Sequence, residues 1–244
     1  MLDFLLTDYF YHLEIIAAIV ATLTYKKYLH TPCRYFLFYL WGVVIIETIG
    51  LIPVLHYFNP SSEFIIWLTS IFKEKYVVVN DWLYNTYFIL HYLFYLAFYW
   101  RILKLEKFKN IVKLLVLAFI IVAVGDVVYN FNEYSSQYLI TLRIVGAIFL
   151  TIAIFLYFMD IIYNDELSKF YLTLPFWISI GALIFNLLIV PISIFSDMMF
   201  SSDLFYEWFH IILNISNYFL YSFFIIGFIV HTYREKIEQS FHKR

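Results

Sequence analysis

Glu207, His210, Asn214, Asn217 and Tyr221 recur at steps of three and four inside the otherwise apolar stretch EWFHIILNISNYFLYSFFIIGFIV. On a helix those steps align all five on one stripe. A carboxylate, an imidazole, two amides and a phenol on one stripe can hydrogen-bond a small molecule or supply ligand atoms to a metal. Such a stripe in a membrane-length segment cannot comfortably face lipid, where an unpaired polar group is costly. It must face other helices, or water held between them.

The remainder of the chain supplies those helices. It is 64% hydrophobic, 23% aromatic and 14% charged, whereas a soluble domain carries about 25% charged residues. This is the composition of a membrane protein, with the lipid bilayer as its surroundings and no nucleic-acid partner. A span needs about 20 apolar residues. Seven windows qualify, at residues 8–25, 35–55, 81–102, 111–129, 138–163, 172–195 and 207–230. The expected fold is an all-α, seven-transmembrane helix bundle forming one domain. With the N-terminus outside, every Lys and Arg of the 16 except Lys73, Lys75 and Arg143 falls on the inner side, in a connector, at the inner end of a window or in the C-terminal tail. Basic residues favour the cytoplasmic side, so the expectation is N-terminus out and C-terminus in, in the inner (cytoplasmic) membrane. The start MLDFLLTDYF has no basic region and reads as a retained extracytoplasmic segment. Trp82, Trp100 and Trp208 sit at window ends as interface anchors, and EFIIWLTSIF in the 56–80 connector suits a short interfacial helix. The single Cys33 rules out an intramolecular disulfide.

This topology gives each intramembrane polar residue a depth. Glu14, Glu47, Asn85, His91, Asp126, Arg143, Asn186, His210, Asn214 and Asn217 all lie between the outer ends of their windows and the middle. Only Asp160 lies near the inner end. Seven segments sending polar groups to one layer point to a shared outward-facing pocket. Each residue also has a structural reading. Asp126 can pair with Arg143, Glu14 and Glu47 can hydrogen-bond tyrosine hydroxyls, and the Tyr84, Tyr87, His91, Tyr95 face can be packing.

Two halves of the chain share a pattern. Asp81-Trp82 and HYLFY align on one offset with Glu207-Trp208 and NYFLY; Gly42, Glu47 and Pro53 match Gly181, Asn186 and Pro191; Glu14, Ala18 and Thr22 match Arg143, Ala147 and Thr151. The pattern suggests a 3+1+3 plan of parallel three-helix repeats joined by the fourth span.

Several chemistries are disfavoured. A retinal Schiff base needs a lysine in the last span, and that span has none. Seven-span hydrolases of the adiponectin-receptor and ceramidase type carry His-x-x-x-His late in the chain, where this chain has His210-x-x-x-Asn214. Small sugar and PQ-loop carriers have Pro-Gln pairs, absent here. The segment FWISIGALIFN (Phe176–Asn186) resembles uncharacterised seven-transmembrane, sensor-like proteins of Bacteroidota. The resemblance covers one span; it implies a signalling role and identifies no catalytic residue. The expected function is a receptor-like module that binds a small extracytoplasmic ligand, cationic or hydroxylated, and signals through a cytoplasmic or membrane partner. A small-solute transporter of 3+1+3 type and an intramembrane metal-dependent hydrolase are the alternatives. No cofactor is expected and no catalytic residue is assigned.

Overall fold

The computed structural model describes residues 9–165, 169–194 and 203–234, and every regular element among them is helical. The window ends at Asp8 and Phe195, the N-terminal start and the tail residues Lys236, Lys243 and Arg244 lie outside the described residues. The long helices are α1 (Tyr9–Tyr28), α2 (Arg34–Gly50), α6 (Asp81–Ile102), α7 (Glu106–Tyr129), α8 (Ile140–Tyr163), α9 (Leu174–Ile194) and α10 (Asp203–Thr232). Short helices α3 (Ile52–Phe58), α4 (Glu63–Ile71) and α5 (Lys75–Val78) fold the stretch between α2 and α6. Ser62 starts α4 by accepting a hydrogen bond from the Ile65 amide at 3.3 Å.

Five stretches are long and apolar enough to cross a membrane: Arg34–Phe58, Glu106–Tyr129, Ile140–Tyr163, Leu174–Ile192 and Glu207–Thr232. They mark the chain as a helical membrane protein. Helices α1 and α6 fall outside that group, and both carry buried polar side chains, Glu14 in α1 and Asp81, Asn85 and His91 in α6. Hydropathy locates only the apolar part of a helix. Accordingly α7 begins at Glu106 instead of Ile111, continuing through Lys107 and Lys109, whose backbones are as helix-compatible as those of the apolar residues.

Helix α1 packs on α2 and α10, α10 on α9, α9 on α8, α8 on α6, and α6 on α2. The order closes a ring. Helix α7 has its main contacts with α6 and α8, to the outside of that ring. The most extensive contact is between α9 and α10. Two glycines there bring the backbones together: a Cβ on Gly181 would stand 3.2 Å from the Leu220 carbonyl oxygen, and one on Gly227 would stand 2.6 Å from the Trp177 Cβ. Inside the ring the packing is aromatic. The Phe36 ring touches Tyr39 at 5.1 Å, Phe94 at 5.5 Å, Phe98 at 5.6 Å and Phe224 at 5.2 Å between centroids, joining α2, α6 and α10.

Where α8 crosses α6, Gly146 faces the ring of Tyr92, which itself packs edge-on against His91 at 5.0 Å and Phe119 at 5.7 Å. A methyl at this position would overlap the Tyr92 ring. The Gly146→Ala protein is therefore expected to lose about 1–3 kcal/mol to overpacking, read as a lower unfolding midpoint in detergent micelles. Gly42, where an added Cβ meets nothing within 4 Å, is the control. There alanine gains about 1 kcal/mol of helix propensity. Equal effects at the two positions would contradict the packing described for α6 and α8.

Candidate functional site

Tyr84, Tyr87, His91, Tyr95 and Tyr99 follow one another along α6 at steps of three and four. The spacing turns them to one side of the helix, and they meet polar groups from α1, α2, α9 and α10. At one end, the Tyr84 hydroxyl donates to Glu47 Oε2 at 2.8 Å. The approach passes over Gly50, where a Cβ would stand 2.6 Å from the Tyr84 oxygen, so the C-terminal glycine of α2 is what admits the phenol. Asn80 Nδ2 holds that helix end by donating to the Gly50 carbonyl at 2.9 Å. Pro53, one residue into α3, brings no amide hydrogen to the preceding turn.

One turn further along α6, the Tyr39 hydroxyl of α2 lies 2.8 Å from His91 Nδ1 and 3.4 Å from the Tyr87 hydroxyl. The Tyr87 hydroxyl is 3.2 Å from the same Nδ1. Which partner donates depends on the His91 tautomer. The Tyr39 ring is held by stacking on Phe94, at 4.5 Å and 12° between planes. Deeper along the face, the Tyr99 hydroxyl meets Ser179 Oγ of α9 at 2.8 Å.

Glu14 enters this group from α1. It is only 2% exposed and interacts with the Glu47 carboxylate and the Tyr221 hydroxyl of α10. Its Oε2 and the hydroxyl of Tyr95, itself 1% exposed, have no hydrogen-bond partner among the described residues. Tyr95 lies 5.4 Å from Tyr39 and 4.9 Å from His91 between ring centroids. Two carboxylates, one imidazole and the phenols of Tyr39, Tyr84, Tyr87, Tyr95 and Tyr221 thus form a nucleus where α1, α2, α6 and α10 meet, buried at Glu14, His91, Tyr95 and Tyr221 and half-buried at Tyr39, Glu47, Tyr84 and Tyr87. Chemically, it offers hydrogen-bond acceptors, negative charge and aromatic faces, the complement of a small cationic or hydroxylated guest.

The other polar residues picked out by sequence have different surroundings. Asn85 spends both amide hydrogens on the carbonyls of Tyr134 and Gln137, at 2.9 and 2.8 Å, and its Oδ1 accepts from the Leu139 amide at 3.0 Å. It fastens the connector before α8. Asp126 accepts from Asn130 Nδ2 at 2.7 Å and from the Leu142 amide at 3.2 Å, so it caps the first turn of α8 from α7. Arg143 is not paired with it. The Arg143 guanidinium lies 4.4 Å above the Phe88 ring and 5.8 Å from that of Tyr138, and it borders the nucleus through its charge on His91. Asn186 and Asn217 are buried and donate to carbonyls of their own helices, at Ala182 (2.7 Å) and Leu213 (3.1 Å). The α10 stripe divides: Glu207 and His210 are exposed, Asn214 is half-buried, and Asn217 and Tyr221 are buried.

Sequence spacing does not single out Tyr39, and it allows the tyrosines of α6 to be packing. The signal that could have found them is their registry with His91. Among the described residues, no group of three His, Cys, Asp or Glu side chains converges as a metal site. Cys33 lies outside this region, in the α1–α2 connector, where burial pushes its thiol up to about 12. The outer surface carries shallow apolar grooves, one at Pro53, Val54, Tyr57 and Phe58 and one along α10 at residues 215–226, and no residue of the nucleus lines either. No protein-family model, curated protein or solved structure matches this chain.

Proposed function

We propose that the protein is a receptor-like module of the inner membrane whose nucleus seats a small cationic or hydroxylated ligand. In this reading all seven long helices span the bilayer, N-terminus out and C-terminus in, and a cytoplasmic or membrane partner reads the occupied state. The observation that carries it is the pair of unpartnered atoms, Glu14 Oε2 and the Tyr95 hydroxyl. A buried polar group without a partner costs about 1–3 kcal/mol, and two at one nucleus are explained by a guest that satisfies both. The basic connectors at the ends of α1 and α6, with Lys26, Lys27, Arg101 and Lys104, support the orientation and suit an acidic partner surface. The resemblance of Phe176–Asn186 to sensor-like proteins points the same way.

Native mass spectrometry with elemental analysis tests this. The expected result is a bound small organic molecule without a transition metal, retained by the wild type and weakened about tenfold to a hundredfold by Glu14→Gln, the worth of one charged hydrogen bond. The Gln variant keeps the side-chain shape, so its unfolding midpoint in the absence of ligand stays close to that of the wild type. A stoichiometric metal would turn the reading to a hydrolase. An empty protein, whose midpoint responds to ammonium and polyol compounds equally in both forms, would refute a ligand at Glu14.

A transporter is the second reading. It is favoured by the ring, in which α1, α2 and α6 face α8, α9 and α10 while α7 stands outside, the arrangement a 3+1+3 repeat would give. Ligand flux into proteoliposomes would separate it from a receptor.

A further inference from the structure

Arg34 opens α2 and Arg101 lies in the last turn of α6, and the two cations meet over one aromatic ring. The Arg34 guanidinium stands 4.7 Å from the Tyr35 ring centroid and that of Arg101 stands 4.4 Å from it. Arg34 Nη2 donates to the Tyr35 hydroxyl at 2.6 Å, which leaves that hydroxyl its own hydrogen to give. Neither arginine has a carboxylate within ion-pair distance among the described residues. Nearby, Glu106 is engaged by Lys109 at 2.7 Å, and Asp160 accepts from the backbone amides of Lys104 and Leu105. Two exposed guanidiniums and a phenol therefore present donors to one place with no anion supplied by these neighbours.

A second feature continues from the first. Arg34, Phe38, Trp41 and Ile45 succeed one another at steps of four, three and four, so they share a face of α2. All are exposed, Phe38 at 65% and Ile45 at 57%. Arg34 begins a stretch apolar enough to cross a membrane, and Trp100, also exposed, sits beside Arg101 as interface aromatics do. A charged cradle at the border of an apolar belt, with an apolar track leading away from it, has the shape of a headgroup and an acyl chain.

We infer that Arg34, Tyr35 and Arg101 bind the phosphate of an anionic phospholipid whose acyl chain lies along Phe38, Trp41 and Ile45. Planar guanidiniums grip phosphate oxygens through paired N–H donors, and the apolar track selects a lipid over a free phosphate ester. The site is independent of the nucleus around Glu14.

The test titrates the full-length protein in neutral detergent with phosphatidylglycerol or phosphatidylcholine, following retained lipid by native mass spectrometry and the unfolding midpoint in parallel. Phosphatidylglycerol is expected to be retained in preference. Arg34→Gln should weaken it about fivefold, and the Arg34→Gln/Arg101→Gln double variant about thirtyfold, from the usual contribution of a basic residue near an anionic surface. Tyr35→Phe, which keeps the ring beneath both guanidiniums, should lose less than either arginine variant. Should the double variant fail to fold, the two single variants carry the comparison. Equal retention of both lipids, undiminished phosphatidylglycerol binding in the arginine variants, or competition by glycerol phosphate at equal concentration would each overturn the assignment.

Discussion

The Asp160→Ala protein is expected to lose about 2–5 kcal/mol of stability, with unfolding beginning at the end of the bundle where α6 passes into α7. Asp160 is 4% exposed and lies in the last turn of α8. Its own helix offers it nothing there, because a carboxylate near a helix C-terminus meets the negative end of the dipole. The stabilisation comes from across the bundle. Its two oxygens accept the amides of Lys104 and Leu105, each at 2.9 Å. Leu105 is the residue preceding α7, and it has no side-chain oxygen to cap that helix. Asp160 thus supplies from α8 the capping acceptor that Leu105 lacks. Alanine leaves two amides without acceptors and frees the connector that orients α7. Asparagine keeps one acceptor and sets an NH2 against the other amide, so Asp160→Asn should fall between the two. Denaturation in mixed micelles, with a fluorescence probe in the 103–105 connector, measures both the size and the place of the loss. A wild-type midpoint in Asp160→Ala would show that water replaces the carboxylate without cost.

Asn85→Ala should cost about 2–4 kcal/mol, by a similar argument at the other end of α6. One side chain, 1% exposed, makes three hydrogen bonds to the backbone of residues 134–139. Alanine abandons two carbonyls and the Leu139 amide, whose residue is 4% exposed. Asn85→Asp separates this role from ligand binding. It retains an acceptor for Leu139 but turns a carboxylate toward two carbonyl oxygens, so it should be no more stable than alanine. In a ligand role for Asn85, affinity would fall while the ligand-free midpoint stayed unchanged. In the role seen here, the midpoint falls first.

These two residues show how far the sequence could be read. Helix positions were legible because apolar runs and their polar punctuation mark them: the window at 81–102 coincides with α6, and the others differ by a few residues at their ends. The convergence of Glu14 and Glu47 was legible too, since buried charge in a membrane-length helix must find company. Tyrosine hydroxyls were the expected company, but which tyrosines was not legible. Tyrosine serves equally as packing and as hydrogen-bond partner, and only the register between α2 and α6 places Tyr39 beside His91 and Tyr84 beside Glu47. Asn85 and Asp126 look like pocket residues by depth, yet Asn85 binds the backbone of the connector between α7 and α8, and Asp126 that of the helix following its own. A one-dimensional pattern records the depth of a side chain and says nothing of which way the next loop turns. Asp160 was set apart from the others because it sits at the opposite end, and its depth gave no hint of the amides it holds.

The ring that encloses the nucleus also sets an order in time. Its closing contact joins α1 to α10, helices from opposite ends of the described chain, so the final wall arrives only after everything between them has been synthesised. Until then Glu14 has no Tyr221 to meet and must be sheltered by the insertion machinery or by its neighbour α2. Contacts so distant in sequence form late and slowly. The residues that make this interior distinctive are thus the ones most exposed to misassembly while the chain is being made.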